Sequence, residues 1–74
     1  MNPIEKLPKK TYNCESFGLM FMIDGTGDFW WCQYYSHFSK KSDERFPSQK
    51  GKTIEDAATS MLNFINDNFP EQLK

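Results

Sequence analysis

Few side chains in this sequence have the chemistry to catalyse. Cys32 and His37 are the types of a thiol–imidazole pair, in which a base activates a sulfur nucleophile. In one regular strand, however, positions 32 and 37 point to opposite faces, and no third group is placed to orient the imidazole. A zinc site from Cys14, Cys32 and His37 has no Cys-x-x-Cys spacing and needs a carboxylate as fourth ligand. Asp24 and Asp28 flank a glycine turn without the calcium-loop pattern, so turn formation accounts for both. Gly25-Thr26-Gly27 precedes a strand and lacks a following Gly-Lys-Ser/Thr, which excludes a phosphate-binding P-loop. The sequence predicts no enzyme, no bound metal and no cofactor.

The richer signal is aromatic. From Phe29 to Phe38 the chain reads Phe-Trp-Trp-Cys-Gln-Tyr-Tyr-Ser-His-Phe, with rings at odd and even positions. A strand of this kind puts ring surface on both faces of its sheet. Lys40, Lys41, Arg45, Lys50 and Lys52 then give the following segment a local positive excess, suited to phosphates or to an acidic protein surface. The net charge of −1 supplies no global field for nucleic acid or an acidic membrane, and no Lys/Arg-Gly-Phe-type RNA signature is present.

These residues need a scaffold. The 74 residues suffice for one domain, with an arm over 1–11, a β-sheet over 12–50 and a helix over 53–69. Phe17, Leu19, Phe21 and Ile23 alternate through a first strand beginning at Tyr12, and the Asp24–Asp28 turn leads into the aromatic strand. Residues 45–50 form a short third strand held to an edge by Pro47. Thr53 is a helix cap with Glu55 and Asp56 in the first turn. Ile54, Ala57, Ala58, Met61, Leu62, Ile65 and Phe69 form an apolar stripe behind it. The predicted fold class is α+β, an antiparallel hairpin or three-stranded sheet packed on one C-terminal helix.

One helix of ~22 Å covers only one face of such a sheet. If Gly25-Thr26-Gly27 is a three-residue loop, Ile23 opposes Phe29 and Phe21 opposes Trp31. Met20, Met22, Trp30, Tyr34 and Phe38 then share the second face, while a two-residue turn exchanges the faces of the aromatic strand. Either the arm folds over that second face with Ile4 and Leu7, or the face binds a partner. Exposed apolar surface rich in Met, Trp and Tyr favours the partner, which is another protein chain or a second copy in a homodimer.

Gly51-Lys52-Thr53-Ile54-Glu55-Asp56-Ala57-Ala58, following a strand, a glycine turn and an aromatic strand, resembles the partial double-stranded-RNA-binding-like domain of HicB-type antitoxins. In that family a Gly-Asp-Thr-Leu-Glu-Glu-Ala-like segment opens the helix. The resemblance spans roughly Phe17 to Phe69 and implies a domain that binds and blocks a toxin or host protein. The family's Phe-Pro-Asp-x-Pro-Gly-type segment and its appended DNA-binding domain are missing from this sequence. In style the chain is similar to small accessory inhibitors of phages and other mobile elements. A small nucleic-acid-binding protein using the 40–52 basic loop and the aromatic strand is the alternative.

The longest apolar run, Phe17 to Ile23, is far short of the ~20 residues of a membrane-spanning helix. The first residues lack a signal-peptide pattern, so a cytoplasmic location with Cys14 and Cys32 reduced is expected.

Overall fold

A computed structural model describes residues 2–12 and 14–73. Met1 of the expected arm and Asn13 of the expected first strand lie outside these residues. The chain is α+β, an antiparallel sheet backed by a C-terminal helix. Its elements are α1 (Pro3–Lys6), β1 (Lys10–Tyr12), β2 (Ser16–Ile23), β3 (Trp30–Ser36), β4 (Lys41–Ser42), β5 (Gln49–Gly51) and α2 (Ile54–Asn68), followed by a 3₁₀ turn at Pro70–Leu73.

β1, β2 and β3 lie side by side, and the far edge of β3 is shared. β4 pairs with Tyr35–Ser36 and β5 with Trp30–Cys32. The third strand expected over 45–50 runs instead over Gln49–Gly51, while β4 forms inside the expected loop. Between them Phe46 leaves the sheet and is buried against Tyr34, Phe64 and Phe69, at centroid distances of 5.4, 6.5 and 5.0 Å.

α2 begins as its sequence dictates. The Thr53 hydroxyl accepts from Asp56 N at 3.0 Å, and Glu55 and Asp56 occupy the positive end of the helix dipole. Ala57, Ala58, Met61 and Ile65 are buried on the sheet, with Leu62, Phe64 and Phe69 beside them. The first turn of α2, at Asp56 and the Ala57 backbone, meets Gly51, where any Cβ would lie 2.7 Å from Asp56 Cβ. Glycine is required there because helix and strand approach backbone to backbone.

Residues 2–8 of the arm lie on the helix side. Asn2 caps α1 by accepting from Ile4 N at 3.0 Å, with Pro3 at the first helical position. α1 packs on α2, Leu7 is buried in the core, and Tyr34 OH donates to Pro8 O at 2.8 Å. The arm therefore leaves the second sheet face uncovered, contrary to the reading in which it folds across that face.

Candidate functional site

The faces of the sheet are set by the hairpin loop. Gly27 N donates to Asp24 O at 2.8 Å, Gly27 has a φ of +81°, and Asp24 N donates to Phe29 O at 2.7 Å. Four residues, Gly25 to Asp28, thus separate a bonded pair, one more than the expected loop. Ile23 consequently opposes Trp30, not Phe29, and Met22 opposes Trp31. A one-residue change in register reverses every side chain of the second strand.

This corrects the expected grouping of Met20, Met22, Trp30, Tyr34 and Phe38. Tyr34 is fully buried under α2, and Trp30 packs against the core on the same face. Phe38 stands in the turn between β3 and β4, 94% exposed, outside any strand. Met20 and Met22 instead share the open face with Trp31, Gln33 and Tyr35 of β3 and with Lys10 and Tyr12 of β1. None of these is buried, and Met22 and Tyr12 are 46% and 65% exposed. Lys50 of β5 stands opposite Trp31, its Nζ 4.5 Å from the Phe29 centroid and 5.7 Å from that of Trp31.

Trp31, Tyr35, Tyr12 and Phe29 were thus outside the expected binding set. The signal for them is Asp at the first position of a type I turn and Gly at the fourth, which marks the longer loop.

The ring of Trp31 is held in place. Its Nε1 donates to Asp24 Oδ1 at 2.9 Å, while Asp24 Oδ2 accepts from Thr26 Oγ1 and Thr26 N. The Thr26 hydroxyl, then the indole, then the Thr26 amide draw the Asp24 carboxyl down to about 2. Nearby, Gln33 Nε2 donates to Met22 Sδ at 3.2 Å and Ser48 Oγ to Gln33 Oε1 at 3.0 Å. A shallow groove lined by Met22, Ile23, Trp31, Gln33 and Ser48 runs along the hairpin end of this face.

The basic residues form no single patch. Lys41 pairs at Ser36 and Lys50 at Trp31, about 17 Å apart along β3 at ~3.3 Å per residue. The Arg45 guanidinium is held by Asp43 through Nη2 at 2.8 Å and Nε at 3.1 Å. Thr11 Oγ1 donates to the same carboxylate at 2.7 Å, tying β1 to the segment between β4 and β5. Burial pushes the Asp43 carboxyl up, but the hydrogen bonds from Arg45 and Thr11 and the guanidinium charge outweigh it and hold it below its usual range. Lys40 occupies the turn after Phe38 with a φ of +57°, and Lys52 is exposed before α2.

Cys32 and His37 are not brought together. Cys32 is buried beneath the helix, where burial pushes its thiol up to about 12. His37 is exposed in a turn with its ring 5.1 Å from that of Tyr35. Cys14 is an exposed free thiol. Among the described residues no three His, Cys, Asp or Glu side chains gather to hold a metal, and no helix is long and apolar enough to cross a membrane. Comparison of the chain with protein families, with curated proteins and with solved structures finds no match.

Proposed function

We propose that this chain is a non-enzymatic protein-binding module whose open sheet face engages an apolar surface of another protein. The observation behind this reading is one face carrying Met20, Met22, Trp31 and Tyr35, over which no element among the described residues forms a layer. Thioethers adapt to a partner, and rings bring large contact area at small entropic cost. Trp31 is pre-positioned by Asp24, which reduces the ordering cost of association. The mode of action is that of an inhibitor or antitoxin-like domain of the phage or mobile-element kind, blocking its target by occupancy. A cytoplasmic setting suits the free, exposed Cys14 thiol.

The test is capture of a cellular protein by the wild-type chain and by Trp31→Ala, with the exposed helix variant Thr59→Ala as control. Loss of the captured protein with Trp31→Ala alone supports the reading. Binding of single-stranded RNA or DNA that weakens steeply with salt, in the absence of any captured protein, moves the nucleic-acid alternative to the front.

A further inference from the structure

We propose that the free edge of β2 pairs with the same edge of a second copy of this chain, antiparallel and about a two-fold axis near Met22. This edge borders the open face and shares Met22 and Lys10 with it, but its pairing is made by backbone groups and does not depend on what that face binds.

The hydrogen-bond pattern leaves this edge unfilled. Asp24 N donates to Phe29 O, so the 24/29 pair is a bonded one, and alternation makes 22/31 and 20/33 bonded pairs as well. The peptide groups of Phe21 and Ile23 therefore point away from β3. On that side β1 pairs only with Ser16–Gly18, and Leu19 N donates to Lys9 O at 3.0 Å. Beyond Leu19, no strand among the described residues lies along this edge.

The edge also lacks the devices that keep strands apart. Leu19 to Ile23 contains no charge and no proline, and its pairing with β3 runs without a bulge. Ile23, on the helix face, is 52% exposed and lies outside the core cluster. With the axis at Met22, Phe21 of one copy faces Ile23 of the other, and about four backbone hydrogen bonds form. Each Ile23 then gains an apolar neighbour on one face, and the two Met22 side chains meet on the other.

Charge complementarity selects a copy of this chain as the occupant. Asp24 and Asp28 lie at the hairpin end of β2, while Lys9 and Lys10, opposite Leu19 and Gly18, stand at the other end of its free edge. An antiparallel two-fold sets the acidic end of each copy beside the basic end of the other, and a parallel arrangement would set like beside like.

Light scattering on a size-exclusion column, over a concentration series, tests the proposal. The wild-type chain should reach twice its 8.7 kDa mass. Ile23→Pro removes an outward N–H and leaves the ladder to β3 intact, so it should weaken the dimer about tenfold or more with an unchanged circular dichroism spectrum. Lys10→Glu and Asp28→Lys leave the backbone alone and remain informative if the proline variant does not fold. Each alone should weaken self-association, and mixing the two should restore it as a heterodimer. A monomer at every concentration overturns the proposal, as does a mixture no better associated than its components. A dimer abolished by Trp31→Ala and untouched by Ile23→Pro also overturns it, placing the second copy on the open face. Conversely, loss of a captured partner in Trp31→Ala with self-association intact separates the two surfaces.

Discussion

Trp31 and Asp24 are joined across the hairpin by an Nε1–Oδ1 hydrogen bond of 2.9 Å, so the largest ring of the open face is anchored to the turn that decides which face it occupies. Protonating Asp24 should release it. Because its folded pKa is depressed, its contribution is fully present above the ordinary 3.8 and is lost as pH falls toward about 2. In a Trp30→Phe background, acid titration of Trp31 fluorescence should show a change centred near 2 that Asp24→Ala abolishes.

The two tryptophans should separate function from stability. Trp31→Ala is expected to weaken partner association by about 2 kcal/mol or more at modest cost to the fold, as for a central interface ring. Trp30→Ala should lower the urea midpoint instead, since Trp30 packs on the core. Titration calorimetry and urea unfolding measure the two effects.

Thr53→Ala removes the oxygen that accepts from Asp56 N and should destabilise by about 0.5–2 kcal/mol. Gly51→Ala should cost more, about 1–3 kcal/mol or beyond, because its methyl meets helix backbone. Chemical denaturation of both variants ranks them.

Tyr34→Phe deletes the hydroxyl that donates to Pro8 O, and a loss of about 0.5–1.5 kcal/mol is expected. Amide exchange should also quicken in residues 4–9 while α2 stays protected.

Thiol labelling should divide the cysteines. Cys14 is exposed and should react in the native protein, whereas Cys32 should react only on unfolding, given its burial and raised pKa. Mass spectrometry after a short alkylation pulse reads this out.

The helix was legible because three local signals agree: the Thr53 cap, the acidic first turn, and a stripe from Ile54 to Ile65. The hairpin and the aromatic strand were legible for the same reason. The partition of the site residues was not, since it turns on a single residue in the Asp24–Asp28 loop, and either register leaves both faces apolar. α1 has four residues, too few to nucleate alone, and exists because Leu7 and Ile4 reach the core. β4 and β5 are two and three residues long, below the length at which alternation can be read. Phe46, beside Pro47 in a polar stretch, gives no periodic sign of its place in the core.

The two thioethers of the open face also make that face sensitive to oxidants. Met22, 46% exposed, and Met20 beside it are open to conversion to sulfoxides, whose polar oxygen replaces an adaptable apolar contact. The proposed contact surface would become hydrophilic under peroxide stress, and enzymatic repair of the sulfoxides would restore it.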